Sequence, residues 1–230
     1  MHNLSKKQAK LNLVLYWLGY TFVFPLIASL FLTFLPESLS VSLKPLFEAL
    51  IYGLTFSVIV LGSYRLLKNE FALFIKRIKS IFSFVIQYQA TMYLLNFVIN
   101  LAILLLTGNL ESNNQMQIIE QLRTHLVSTV FLSCIFAPFV EELVFRASIY
   151  RLFYQKNSKL CILLASCTFG LLHVLTSVIS GDWADCLYFF SYSAMGFCLC
   201  QCYEKSKTIY GSILLHMLNN TISILMLLGI

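Results

Sequence analysis

Five polar residues in apolar segments of the C-terminal half are suited to hydrolytic chemistry. Glu141 and Glu142 are adjacent, and His173, His216 and Asn220 follow in two later apolar runs. A carboxylate near the centre of a bilayer is strongly destabilising unless it is paired, neutralised or hydrated. Because each further buried polar group adds to that energy, we interpret the five residues as one shared, hydrated pocket.

The two adjacent glutamates differ in the partners that their spacing allows. Glu142 and Arg146 are four residues apart, which places them on one helix face as an ion pair. Glu141 points about 100° away from that face and is left free for chemistry. The alternative for this short pattern is an ion network that only holds helices together.

Peptide hydrolysis within a membrane needs a base that activates water and donors that stabilise the oxyanion. Glu141 fits the base, and His173 fits a group that orients the water. His216 and Asn220, four residues apart on one helix face, fit the oxyanion donors. Alternatively, Glu141, His173 and His216 are ligands of a divalent metal such as zinc. The residue types leave both readings open, so no cofactor is certain.

The composition determines what kind of scaffold positions these groups. Hydrophobic residues make up 59% of the 230 residues and charged residues 11%, whereas a soluble domain carries roughly a quarter charged residues. The net charge of +6 is dispersed between apolar runs, which argues against nucleic acid as a partner. We predict an all-α, polytopic transmembrane helix bundle in the lipid bilayer, with residues 1–230 forming one membrane domain. About seven spans are predicted, at residues 11–35, 46–67, 81–106, 126–153, 160–179, 184–203 and 208–230.

The Lys and Arg residues predict the orientation, because cytoplasmic loops retain them. With the N-terminus inside and the C-terminus outside, only Lys44 and Arg123 of the 16 fall on the outer side. The inner set is Lys6, Lys7, Lys10, Arg65, Lys68, Lys76, Arg77, Lys79, Arg146, Arg151, Lys156, Lys159, Lys205 and Lys207. Residues 68–80 further predict an amphipathic helix on the membrane surface, the alternative being an extension of the second span.

Three spaced motifs in the last spans resemble those of a known family. The family is the CPBP intramembrane proteases, also called the CAAX protease and bacteriocin-processing, or Abi, family. Its motifs EExxxR, FxxxH and HxxxN stand here as Glu141, Glu142 and Arg146; Phe169 and His173; and His216 with Asn220. The resemblance covers about residues 126–230, the expected catalytic core, while the first three spans contribute only compatible hydropathy. Ala147 departs from the glycine that usually follows the motif arginine.

The resemblance implies a role for each motif residue. Glu141 and His173 would activate a water, His216 and Asn220 would stabilise the oxyanion, and the other motif residues would support them. In the family the pocket is reached from the cytoplasmic side. The supporting residues are Glu142, Arg146 and Phe169.

We therefore expect an intramembrane endopeptidase, glutamate- or metal-dependent, that cleaves a membrane-associated peptide or protein. Its predicted location is a bacterial cytoplasmic membrane, with the active site open towards the cytoplasm. The alternative function is a non-catalytic bacteriocin immunity or partner-binding membrane protein. A transporter or proton relay is disfavoured because the sequence has no inverted repeat.

Overall fold

The computed structural model of the protein describes residues 4–154 and 157–229. Within these ranges the chain folds into a bundle of helices without strands, which confirms the predicted all-α membrane fold. The helices are α1 (Lys6–Thr33), α2 (Glu37–Gly62), α3 (Tyr64–Lys76), α4 (Ile78–Thr107), α5 (Asn113–Thr124), α6 (Leu126–Phe153), α7 (Ser158–His173), α8 (Leu175–Ser180), α9 (Tyr188–Ser206) and α10 (Ile209–Leu228). Lys156 and Ile230, which the sequence predictions use, lie outside the described residues.

Among the described residues, five helices are long and apolar enough to cross a membrane: α1, α2, α4, α6 and α10. The predicted span at 160–179 is instead divided, because the chain bends at Val174 between α7 and α8. At 16 residues, α7 is about 24 Å long, which is shorter than a hydrocarbon core of about 30 Å. The predicted span at 184–203 corresponds to α9, which has 19 residues. The count of seven spans remains a prediction.

Helix α3 is separate from the helices on either side of it. The backbone leaves helical geometry at Ser63 and again at Arg77, so the segment 68–80 does not simply extend α2. The buried face of α3 packs against the start of α10, where a Glu70 carboxylate oxygen accepts the backbone N–H of Ile209. A carboxylate at this position complements the positive end of the α10 dipole.

Hydrogen bonds between distant segments define the two ends of the bundle. At one end, which we call the basic end, Arg151 Nε donates to the carbonyl of Leu4 at 2.6 Å. Arg77 Nη1 donates to the carbonyl of Ser206 at 3.1 Å, so the α3–α4 and α9–α10 junctions meet there as well.

The opposite end, which we call the α5 end, is held by an acidic loop. Asp185 accepts the backbone N–H of Asn113, the first residue of α5, at 2.7 Å, and it accepts the hydroxyl of Ser177 from α8. Asp182 accepts the Asn113 side chain at 2.9 Å, and this hydrogen bond lowers the pKa of Asp182 below its usual value. The two loop aspartates therefore fix α5 over this end of the bundle.

Helices α7 and α9 cross closely at two glycines. A Cβ on Gly170 would lie 2.8 Å from the carbonyl oxygen of Phe189 and 3.0 Å from the amide nitrogen of Ser193. A Cβ on Gly196 would lie 3.0 Å from the Cα of Ser166. Backbone atoms cannot rotate out of the way, so the short separation of α7 and α9 requires glycine at both positions.

We predict that Gly170→Ala destabilises the fold by about 1–3 kcal/mol, because the added methyl forces α7 and α9 apart. Unfolding in detergent, followed by circular dichroism against increasing SDS, measures the change. Gly53→Ala on α2 is the matched control, since a Cβ there has no atom within 4 Å. Equal stability of the two variants would contradict the close crossing.

Candidate active site

Three helices bring the four predicted catalytic residues around one cavity of about 410 Å³. Glu141 lies on α6, His173 is the last residue of α7, and His216 and Asn220 lie on α10. The structure thus brings together residues that are up to 79 positions apart in the sequence, from Glu141 to Asn220.

A proline in α6 explains how Asn220 is placed. Residues Leu132–Phe136 form a π-helical turn, in which the N–H of Ala137 bonds to the carbonyl of Leu132, five residues earlier. In the same pattern the Ser133 carbonyl would accept a hydrogen bond from the N–H of residue 138, but Pro138 has no N–H. Asn220 Nδ2 donates to this carbonyl at 2.8 Å, which leaves the second amide proton of Asn220 uncommitted by that bond.

Glu142 is the centre of a fully buried ionic network. Its Oε1 accepts Arg146 Nη1 at 2.9 Å and lies 2.9 Å from His216 Nδ1. Arg146 Nη2 also donates to the carbonyl of Gly196 at 3.1 Å, which links α6 to α9. The predicted i, i+4 pair of Glu142 and Arg146 is present, and Glu142 also contacts His216. A carboxylate oxygen only accepts hydrogen bonds, so Nδ1 of His216 carries a proton.

The Phe169 ring contacts the arginine and both histidines. Its ring lies 4.7 Å under the Arg146 guanidinium, a cation–π contact, and is wholly buried. The same ring contacts His216 edge-on, with centroids 5.6 Å apart, and His173, with centroids 4.5 Å apart. Phe169 therefore packs against both imidazoles and restricts their positions.

A hydrogen bond and a stacking contact fix the orientation of the His173 ring. Its Nδ1 lies 2.9 Å from the carbonyl oxygen of Phe169, so Nδ1 is the protonated nitrogen and Nε2 has a free lone pair. The ring stacks on Tyr192 of α9, with centroids 4.5 Å apart and planes 21° apart. The Tyr192 hydroxyl in turn bonds to Ser112 at 2.7 Å, which connects His173 to the start of α5.

Tyr16 of α1 is a site residue that sequence reasoning missed. Its hydroxyl donates to Glu141 Oε1 at 3.1 Å, and its side chain is buried. The other Glu141 oxygen, Oε2, is buried without a hydrogen-bond partner and lies 3.9 Å from His216 Nε2. Tyr16 thus orients the carboxylate and leaves Oε2 available. The available signal was the spacing of Asn12, Tyr16 and Tyr20, four residues apart within an apolar run.

Two amides outside the motifs extend the polar side of the site. Gln89 Nε2 of α4 donates to Asn219 Oδ1 at 3.2 Å, and Asn219 Nδ2 donates weakly to Asn220 Oδ1 at 3.4 Å. This series of hydrogen bonds fixes the amide orientation of Asn220, because Asn220 Oδ1 accepts a hydrogen bond from Asn219. Gln89 lies in a predicted span, but nothing in the sequence pairs it with Asn219, which is 130 positions away.

The proposed metal ligands do not fit a metal site in this geometry. Among residues 4–154 and 157–229, no group of three His, Cys, Asp or Glu side chains is placed to hold a metal ion. The alternative in which Glu141, His173 and His216 share a zinc ion is therefore not supported by the arrangement of these side chains.

Glu141 and His173 also line a second cavity, of about 790 Å³, between α1, α2 and α7. Asn114 of α5 lines both cavities. Glu141 and His173 therefore lie where two spaces meet, while His216 and Asn220 face only the smaller one.

Comparisons with family profiles and with individual proteins both found matches to this chain. A family profile described as "Type II CAAX prenyl endopeptidase Rce1-like" matches residues 123–222, which include all four predicted catalytic residues but not Tyr16. A protein of Bacillus subtilis (strain 168) named "Putative membrane peptidase YdiL" is 30% identical over 117 residues. That match covers 50% of this chain and 43% of the relative, so the chain spans less than half of the relative's length. No solved structure matches significantly.

Proposed function

We propose that this chain, which belongs to the CPBP family through residues 123–222, is an intramembrane endopeptidase. It hydrolyses a peptide bond of a membrane-associated peptide or protein with a water activated by Glu141 and His173. The observation that carries the proposal is the cavity lined together by Glu141, His173, His216 and Asn220. It contains a carboxylate oxygen and an imidazole nitrogen without partners, which are the two acceptors needed to hold a water.

The first step is attack by water on the substrate carbonyl carbon. Glu141 Oε2 takes one water proton, and His173 Nε2 accepts a hydrogen bond from the other. The carbon–oxygen bond forms as the carbonyl π electrons move to the oxygen. Tyr16 keeps the carboxylate oriented through its bond to Oε1.

The resulting oxyanion is stabilised by α10. Asn220 offers the amide proton that Ser133 leaves uncommitted. His216 Nε2 donates when its ring is protonated, because Nδ1 already donates to Glu142, whose carboxylate balances that charge. Removing one donor of this kind lowers kcat by about 10²–10³-fold in a well-studied protease.

In the last step the carbon–nitrogen bond breaks. The proton held by Glu141 passes to the leaving amine, which restores the Glu141 carboxylate and releases a new carboxyl terminus and a new amino terminus. Glu142, Arg146 and Phe169 do not touch the substrate in this scheme and hold His216 and His173 in place.

Comparative peptidomics tests the proposal and supplies a substrate. Membranes from cells that produce the wild-type chain are compared with membranes from cells that produce Glu141→Ala. We expect at least one shortened peptide that is present only with the wild type and also absent with His173→Ala. An unchanged peptide set in all three strains contradicts the proposal. If a protective effect against a bacteriocin survives in the double variant of Glu141 and His173, the immunity alternative is favoured instead.

Tyr16→Phe should lower kcat about tenfold with little change in KM. A hydrogen bond to a charged group contributes about 1.5 kcal/mol or more, and the bond here orients the base without touching the substrate. Cleavage of the identified peptide in proteoliposomes measures both constants. Tyr64→Phe, at the exposed start of α3, is the control and should match the wild type. An unchanged kcat for Tyr16→Phe would show that Glu141 needs no such support.

A further inference from the structure

Most of the Lys and Arg residues lie at one end of the bundle. Within the described part of the chain, the α5 end has Lys44 and Arg123. The basic end carries Lys6, Lys7, Lys10, Arg65, Lys68, Lys76, Arg77, Lys79, Arg151, Lys159, Lys205 and Lys207. Since Lys and Arg accumulate on the cytoplasmic side of short-looped membrane proteins, this asymmetry places the basic end in the cytoplasm.

The site is closed towards that basic end. Every residue from 141 to 150 is buried, and Glu142, Phe145 and Arg146 are fully inaccessible. Beyond them, the Asn12 side chain bonds to the hydroxyls of Ser63 and Ser148, which joins α1, the α2–α3 junction and α6. No described residue between Arg146 and the basic end lines either of the two cavities that reach Glu141.

Both cavities extend from Glu141 in the other direction. The smaller cavity passes Asn96 and Asn100 on the second half of α4 and reaches Ser112 and Gln115 at the start of α5. The larger one passes the second half of α1 and reaches Gln117 of α5. On α6 the lining residues end at Glu141, and on α10 they begin at His216. On both helices the smaller cavity is therefore lined only by the part that lies towards the α5 end.

We propose that the site takes its substrate from the α5 end and that this end faces away from the cytoplasm. The substrate is then a polypeptide on the outer side of the membrane, either an exported peptide or the outer segment of a membrane protein. This inference rests on the peptidase function proposed above. It replaces the expectation of a cytoplasmic pocket, because an inward-facing basic end and an inward-facing cavity are incompatible in this fold.

The walls of the smaller cavity indicate which kind of segment enters. Six carboxamide side chains line it, and among its described lining residues Glu141 is the one carboxylate, with no Lys or Arg. The carboxamides are Asn96, Asn100, Asn114, Gln115, Asn219 and Asn220. The Asn96 oxygen is buried without a partner, so an acceptor is available to a peptide N–H. Such walls suit an extended, uncharged segment whose backbone N–H and C=O groups need partners.

Labelling from each side tests the orientation without any need for activity. In a background with Cys167→Ser and Cys186→Ser, which replace the two cysteines that are not buried, Gln117→Cys marks the cavity end and Lys205→Cys the basic end. A charged maleimide that does not cross membranes is added to spheroplasts and, separately, to inverted vesicles. We expect Gln117→Cys to react in spheroplasts and Lys205→Cys in inverted vesicles. The reverse pattern overturns the proposal.

Cleavage from each side tests the access route itself. The identified peptide, extended with charged residues so that it does not cross the membrane, is supplied to the same two preparations. We expect cleavage in spheroplasts to exceed cleavage in inverted vesicles at least tenfold, with Glu141→Ala as the blank. Cleavage mainly in inverted vesicles overturns the proposal. If neither preparation cleaves while the labelling follows the expected pattern, the peptidase function fails and the orientation stands.

Discussion

Glu141→Gln should lower the rate of peptide hydrolysis by about 10²–10⁴-fold, the range that a general base contributes. The amide keeps the size of the carboxylate, and its oxygen still accepts the hydrogen bond from Tyr16. It has no basic oxygen to take a proton from water, so binding is retained and the chemical step is lost. The measurement is kcat and KM for the identified peptide in proteoliposomes.

A matched substitution separates this effect from a general effect of lost charge. Glu37→Gln makes the same change at an exposed residue in the first turn of α2 and should leave both constants unchanged. Activity of Glu141→Gln within tenfold of the wild type would remove Glu141 from the role of base, and with it the mechanism proposed for this cavity.

Arg146→Met should destabilise the fold by about 3–5 kcal/mol, since it leaves the Glu142 charge buried without its partner. Glu142 and Arg146 are both fully buried and lie 2.9 Å apart, so water does not replace the lost contact. The bond from Arg146 to the Gly196 carbonyl and the contact with Phe169 are lost as well. Resistance to unfolding by SDS, compared with that of the wild type, measures the effect.

The double variant Glu142→Gln with Arg146→Met distinguishes an uncompensated charge from lost packing. Removing both charges should restore most of the stability, because no buried charge remains. The Gln oxygen can still accept the proton of His216 Nδ1. If Arg146→Met alone is as stable as the wild type, or if the double variant is less stable than the single one, the buried-charge account is wrong.

The convergence of the proposed catalytic residues was predictable in part because local spacing records which side chains share a helix face. Glu142 and Arg146, or His216 and Asn220, share a helix face by virtue of a four-residue interval, and the structure places both pairs as that interval predicts. Burial of polar groups in apolar runs also indicates a shared pocket without any knowledge of the fold. The predicted end points of α6, residues 126–153, coincide with the helix in the structure.

The supporting contacts were not predictable in this way, because they depend on which helices are neighbours. The bond from Tyr16 to Glu141 spans 125 positions, and the bond from Gln89 to Asn219 spans 130. No periodicity in a single helix reveals such a pair. The division of the predicted span 160–179 at Val174 was likewise hidden, since hydropathy continues across the bend.

The direction from which the cavity is reached also required the structure. Sequence spacing places Glu141 near the middle of α6, about 22 Å from Leu126 and about 18 Å from Phe153 by helical rise. Only the packing around it decides which half is filled. The half towards the basic end is filled by residues 142–150, and the half towards α5 is left open.

The central claim is that a water activated by Glu141, rather than Glu141 itself, attacks the peptide bond, and a single turnover in H₂¹⁸O tests it most directly. Mass spectrometry of the products and of the peptide that contains Glu141 shows where the heavy oxygen goes. We predict ¹⁸O in the new carboxyl terminus of the substrate and none in Glu141. Heavy oxygen in Glu141 with an unlabelled product would show that the carboxylate forms an anhydride with the substrate, which contradicts the mechanism.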